Sequence, residues 1–219
     1  MRQIRIAPGE IYHLYNRGVN KQNIFHDRSD FYRFLFLIIA FQSPINFLHV
    51  GRMAKAFGQH RVSAIDAEDL VKIIKKRFVE LTAYCLMPNH FHLVVKEIDD
   101  KGIARYMQRV LNSYTKYYNT KYQKSGHVFQ GPYQAVHIVD DKQLLYLSAY
   151  VHKNPEKWSD YSWSSFEDYM NKNRWGSLLK PEIILEQFKS KDQYGRFVSS
   201  STAKEVIEEI GQHSVLDKD

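Results

Sequence analysis

A chain of 219 residues, 44% hydrophobic and 25% charged, has the balance of a water-soluble globular protein, long enough for one domain with its own core, alone or with an appendage. No stretch approaches the roughly 20 consecutive apolar residues of a membrane span, and "MRQIRIAPGE" lacks the apolar core of a secretory signal, so secretion is not expected. The one cysteine, Cys85, excludes internal disulfides and a cysteine-built zinc site and reads as a small buried hydrophobe, while the net charge of +7 points to a polyanionic partner, nucleic acid before membrane.

In chain order, "IYHLYNRG" alternates and stops at glycine, as a strand does. "DRSDFYRFLFLIIAFQ" opens with capping residues and reads as a helix. Residues 44–67 read as a loop or insertion. "DAEDLVKIIKKRF" is amphipathic, with Leu70, Ile73, Ile74 and Phe78 on one helical face. The strands "LTAYCLM" and "HFHLVVKE" follow, joined at Pro88-Asn89. Then come a long helix, "DKGIARYMQRVLNSYTKYYNTKY", a loop, "GHVFQGPY", a short strand, "QAVHIV", and a helix, "DKQLLYLSAYVHKN", which Pro155 helps to end. This order predicts an α+β fold: a ferredoxin-like antiparallel sheet with helices on one face, plus a helical C-terminal extension. The expected division is a main unit over 1–170, with a helical insertion around 44–78, and a helical tail over 171–219.

The stretch "MPNHFHLVV" carries chemistry. Alternate strand residues face the same way, so His90 and His92 project together, about 7 Å apart at Cα, and can converge on one divalent ion. A third ligand is needed, and the best candidate lies in "YLSAYVHKNP". There Tyr150 and Asn154 are i and i+4 on one helical face, and an asparagine carbonyl suits Mg²⁺ or Mn²⁺ beside imidazole. A tyrosine one turn away would sit close to a metal-held phosphate. On spacing alone, a hydrogen-bonded histidine pair, a core tyrosine and a helix-end asparagine account for the same residues.

"MPNHFHLVV" followed by "YVHKNP" resembles the single-tyrosine HUH transposases, and within them the REP-associated tyrosine transposases. "YHLYNRGVNKQNIF" and "GHVFQGPYQAV" also have counterparts there. The resemblance spans about residues 8–170. It implies a metal-dependent endonuclease and strand transferase that cuts single-stranded DNA at or near hairpins through a covalent 5′-phosphotyrosine. His90, His92 and Asn154 would hold Mg²⁺ or Mn²⁺, and Tyr150 would be the nucleophile. Lys153 replaces an aromatic common in the family, bringing a cation near the phosphate or facing solvent. The implied partner is single-stranded or hairpin DNA, with no membrane, for a monomer or homodimer in a bacterial-type, nucleoid-associated cytoplasmic setting. Aromatic interleaving of the basic stretches supports such a partner. The candidate DNA contacts are Arg17, Asn20 and Lys21 after the first strand, Arg105, Arg109, Lys116 and Lys121 on the long helix, and Lys124, His127 and Gln130 on its following loop. Tyr146, Tyr114, Tyr117 and Tyr118 are rival nucleophiles, each better suited to packing or base stacking. The alternative reading is a hairpin nucleic-acid-binding protein with no physiological cleavage; a hydrolase using metal-bound water is a third.

Overall fold

The computed structural model describes residues 6–60 and 65–202. Four antiparallel strands, β1 (Ile11–Arg17), β2 (Val79–Met87), β3 (His90–Glu97) and β4 (Gln134–Ile138), form one sheet in the order β2-β3-β1-β4. That is the ferredoxin-like order, with β1 and β3 as the inner strands. The helices are α1 (Arg28–Ala40), α2 (Val50–His60), α3 (Ala67–Lys76), α4 (Gly102–Tyr122), α5 (Asp141–Lys153), α6 (Phe166–Met170), α7 (Glu182–Leu185) and α8 (Lys191–Ser200). Among the described residues no helix is long and apolar enough to cross a membrane.

Strand alternation divides the core. Leu14, Leu81, Phe91, Leu93 and Val95 face α1 and α4, where Phe34, Tyr106, Val110 and Tyr114 complete a large aromatic cluster. Burying an aromatic or branched side chain there contributes on the order of 1.5–3 kcal/mol. The opposite parity, Ala83, Cys85, Val94 and Ile138, faces α5, backed by Phe166, Tyr169 and Tyr194 from α6 and α8. The second face is therefore covered too, by α5 and the elements that follow it.

Local chemistry sets the ends. Asp27 caps α1 through the amides of Ser29 and Asp30, and Asp30 closes the capping box. The buried Glu97 carboxylate accepts from the Gly102 and Ile103 amides at the start of α4, where the helix dipole favours negative charge. The segment expected as a loop or insertion contains α2, whose Ala54 and Phe57 are buried against the α1 side. Gly58 brings α2 onto the Tyr32 ring, since a Cβ there would lie 3.0 Å from it.

Candidate active site

The register of the inner strands builds the site. Tyr15 pairs with His92 and Arg17 with His90, while Cys85 and Met87 of β2 lie opposite the same two histidines. Directly paired residues share a face, so both imidazoles point toward α5. The Pro88-Asn89 turn is held from outside. Ile24 and Phe25 amides donate to the Pro88 carbonyl, and the Gly18 amide donates to that of Asn89. Gly18 is required there, because a Cβ would collide with the Gln22 carbonyl oxygen.

Asp140 caps α5 through the Gln143 amide, and the helix presents Tyr150 and Asn154 one turn apart. His90 Nε2 lies 3.0 Å from Asn154 Oδ1, and its Nδ1 lies 2.7 Å from Asn89 Oδ1. The Tyr150 ring meets His92 edge-on at 5.5 Å between centroids and is 6% exposed. The four residues nominated from the sequence thus converge, although the two elements that carry them are far apart in the chain.

Sequence reading missed His13, on the same strand face. Its Nε2 lies 2.9 Å from His92 Nδ1, and the two rings stack. Both are fully buried, and the outward atoms, His13 Nδ1 and His92 Nε2, have no hydrogen-bond partner. Burial drives the His13 pKa down to about 3 and that of His92 well below the usual imidazole value, helped by His90 and His13. Both rings are neutral at pH 7. Only the pairing of β1 with β3 reveals His13; alternation within "IYHLYNRG" gives its parity but not its partner.

The donor set fits a small divalent cation. Neutral His92 presents a buried nitrogen with nothing bound to it. His90 faces carbonyl oxygens at both ring nitrogens, and a neutral imidazole has one proton for two acceptors. A cation held by His90 Nε2 and Asn154 Oδ1 would remove that conflict. Among the described residues no group of three or more His, Cys, Asp or Glu could hold a metal, so any such site depends on the asparagine.

His152 and Lys153 do other work. His152 is buried between Tyr194 OH, 2.7 Å from its Nδ1, and Ser165 Oγ, 2.8 Å from its Nε2. Tyr194 also donates to Ser148 Oγ, and Ser165 Oγ donates to the Tyr84 carbonyl of β2. Lys153 neither approaches the site as a cation nor simply faces solvent. Its Nζ donates to the Ser199 and Ser201 carbonyls at the end of α8, where positive charge is favoured. The helix bearing Tyr150 is therefore anchored to β2 and to α8.

The structure splits the ten candidate DNA contacts into two sets. Arg17 donates to Gln130 Oε1 at 2.6 Å, and exposed Asn20, Lys21, Lys124, His127 and Gln130 lie on the two loops that meet there, at the His90 end of the sheet. Arg105, Arg109, Lys116 and Lys121 sit on α4, across the sheet from the histidines. Two of these four make contacts inside the protein. Arg109 donates to the Ser43 and Ile45 carbonyls and lies over Phe41. Lys121 bonds Asp27 and the fully buried Asp30, each at 2.7 Å. Arg105 pairs with Asp99, and Lys116 is exposed. Among the rival tyrosines, Tyr114 and Tyr118 donate to the Ile24 and Asn23 carbonyls, Tyr117 to Asp30, and Tyr146 packs on Phe197.

The sheet thus sets a His-x-His pair against a helical Tyr-x-x-x-Asn. The chain is similar to the IS200-like transposases, whose family model matches residues 54–154, a stretch that contains His90, His92, Tyr150 and Asn154. A similar solved structure is that of a REP-associated tyrosine transposase bound to a REP hairpin, at 16% identity and a TM-score of 0.44, covering 77% of this chain and 84% of that one. No curated protein matches.

Proposed function

We propose that the chain is a metal-dependent endonuclease and strand transferase that acts on single-stranded DNA at or near hairpins. The observation that carries this reading is the contact between His90 Nε2 and Asn154 Oδ1, with the Tyr150 ring one turn away on α5 and edge-on to His92. Binding DNA needs no such convergence; cleavage by tyrosine does.

His90, His92 and Asn154 would hold Mg²⁺ or Mn²⁺, which when bound polarises the scissile phosphodiester. The hydrogen bond between His13 Nε2 and His92 Nδ1 couples the tautomers of the two rings. With His92 Nδ1–H donating to His13 Nε2, His92 Nε2 is left bare, as a metal ligand must be. The Tyr150 hydroxyl gives up its proton to solvent as its oxygen attacks phosphorus, an O–P bond forms, and the P–O3′ bond breaks, solvent returning one proton to the leaving oxygen. That oxygen becomes a free 3′-OH, while the 5′-phosphate stays on Tyr150. Rejoining reverses these steps, and the phosphotyrosine conserves the bond energy, so no nucleotide cofactor is required. Arg17, Asn20, Lys21, Lys124, His127 and Gln130 would meet DNA at the His90 end of the sheet.

The test is a denaturing gel of wild type and Tyr150→Phe with labelled single-stranded hairpin DNA, in Mn²⁺ and in EDTA. The expected result is a metal-dependent covalent band that the variant lacks. Cleavage by Tyr150→Phe without that band would mean attack by water, and bound but uncut DNA throughout would leave a hairpin-binding protein.

A further inference from the structure

A cavity of about 580 Å³ lies apart from this site, on the outer side of α1 against α2 and α4. Its lining includes Arg28 and Arg33 of α1, Lys55 of α2, and the rings of Tyr32 and Tyr117. Among the described residues no carboxylate forms an ion pair with any of the three cations. Arg33 is the least satisfied. Its Nε is buried without an acceptor, and its guanidinium lies 5.1 Å over Tyr117, reaching only Ser113 Oγ at 3.5 Å. Burial disfavours its charged form. A desolvated cation with no counter-charge is costly, and the natural relief is an anion from outside.

The walls narrow the choice of anion. Cations beside aromatic faces in a mainly apolar cavity suit a phosphate joined to a planar base, because phosphate meets guanidinium and the base stacks on tyrosine. A smaller, polar cavity shares Arg28 and Tyr32 and continues to Trp163 and Arg174. The Trp163 carbonyl accepts from the Leu86 amide of β2, just before the turn into the histidine strand. Arg174 there is paired with Glu167 and Asp168, so Arg28 is the cation that the two cavities share, with Trp163 beside it toward the β2 edge of the sheet.

We propose that this cavity is a second binding site, for one unpaired nucleotide unit, with its phosphate on Arg28, Arg33 and Lys55 and its base against Tyr32 or Tyr117. The shared chemistry has two sources: an unpaired flank of the DNA bound at the candidate active site, or a free nucleotide. Only the first source rests on the proposed function.

Two titrations of the full chain test it. In one, fluorescence anisotropy follows a labelled hairpin with and without unpaired flanks of about ten nucleotides; in the other, calorimetry follows deoxyadenosine monophosphate. Wild type is compared with an Arg28→Gln/Lys55→Gln double variant, whose changes remove charge near the surface, and with Arg33→Lys, which keeps charge but loses the planar donor. The expected result is a roughly tenfold gain in affinity from the flank. The double variant loses most of that gain, while bare-hairpin binding and the Tyr150 adduct are unchanged. Displacement of the flank-dependent gain by mononucleotide supports the strand as source. Saturable mononucleotide binding without any flank gain, lost in the double variant, supports the free nucleotide. An equal flank gain in wild type and variant together with no mononucleotide binding overturns the site. A flank gain that depends on these residues in a chain that forms no adduct would sink the proposed cleavage and leave the cavity assignment standing.

Discussion

On one side of the sheet Phe91, Leu93 and Val95 of β3 meet the aromatic stack of α1 and α4. On the other, the alternate residues His90 and His92 meet a tyrosine and an asparagine. One strand serves both. The first face is closed and apolar, with Phe34 and Phe91 rings 5.0 Å apart and Tyr114 edge-on to Phe34. The second is layered with polar groups, and His13 Nδ1 and His92 Nε2 are buried there without hydrogen-bond partners. Stability is concentrated on the face that does no chemistry, which lets the other tolerate unsatisfied atoms that an efficient core would exclude.

This division can be broken from either side. Phe91→Ala should cost about 3–5 kcal/mol, as a large cavity in a packed aromatic cluster does. His90→Ala, its neighbour on the partly exposed face, should cost under about 1 kcal/mol yet abolish the covalent adduct; thermal melts beside the gel assay separate the two. Equal destabilisation by both would erase the contrast. Lys121→Met should cost about 3 kcal/mol, because it strips Asp30, fully buried, of its cation. Lys121 also helps to hold the Asp27 carboxyl at about 2. Urea midpoints at pH 7 would measure this.

Acid should loosen the polar face first. His13 and His152 have pKa values near 3, and His92 is also well below its free value, all through burial. The unfolded chain therefore binds more protons than the folded one below about pH 6.5. Stability present above that pH is lost as pH falls toward 3, with a slope of up to about three protons from these residues. A flat stability curve between pH 7 and 4 would mean that the rings are not neutral when folded. The smallest change is Tyr194→Phe, which removes one hydroxyl between His152 and Ser148. It should cost about 1–2 kcal/mol and lower turnover more than hairpin affinity, because it loosens the helix that carries Tyr150.

Much of this was legible in the sequence for local reasons. The strand containing "HFHLVV" and the helix containing "SAYVHK" are encoded by alternation, an Asp cap and a following proline, and they bring His90, His92, Tyr150 and Asn154 into play through parity and i,i+4 spacing alone. What stayed hidden is non-local. His13 becomes part of the site through strand register. Lys153 is fixed by a helix end more than forty residues further on. The face occupied by α4, and so the separation of its basic residues from the histidines, follows from packing. Helix α2 was not marked off within the helical insertion around 44–78, because its glycines and short apolar stripe, Ala54 and Phe57, become convincing only against Tyr32 and Phe36 of α1.

The strand order also constrains how the chain is made. β1 is an inner strand, and both of its neighbours, β3 and β4, are encoded far downstream. As the chain emerges from the ribosome, "IYHLYNR" has no pairing partner until His90 and the residues after it have been synthesised, and one edge stays open until β4 appears. Non-local pairing of this kind slows folding and leaves sticky segments exposed in the meantime. Expression at lower temperature or with chaperones should therefore raise the yield of correctly folded protein, and internal truncations that remove β3 or β4 should strand β1 as an aggregation-prone segment.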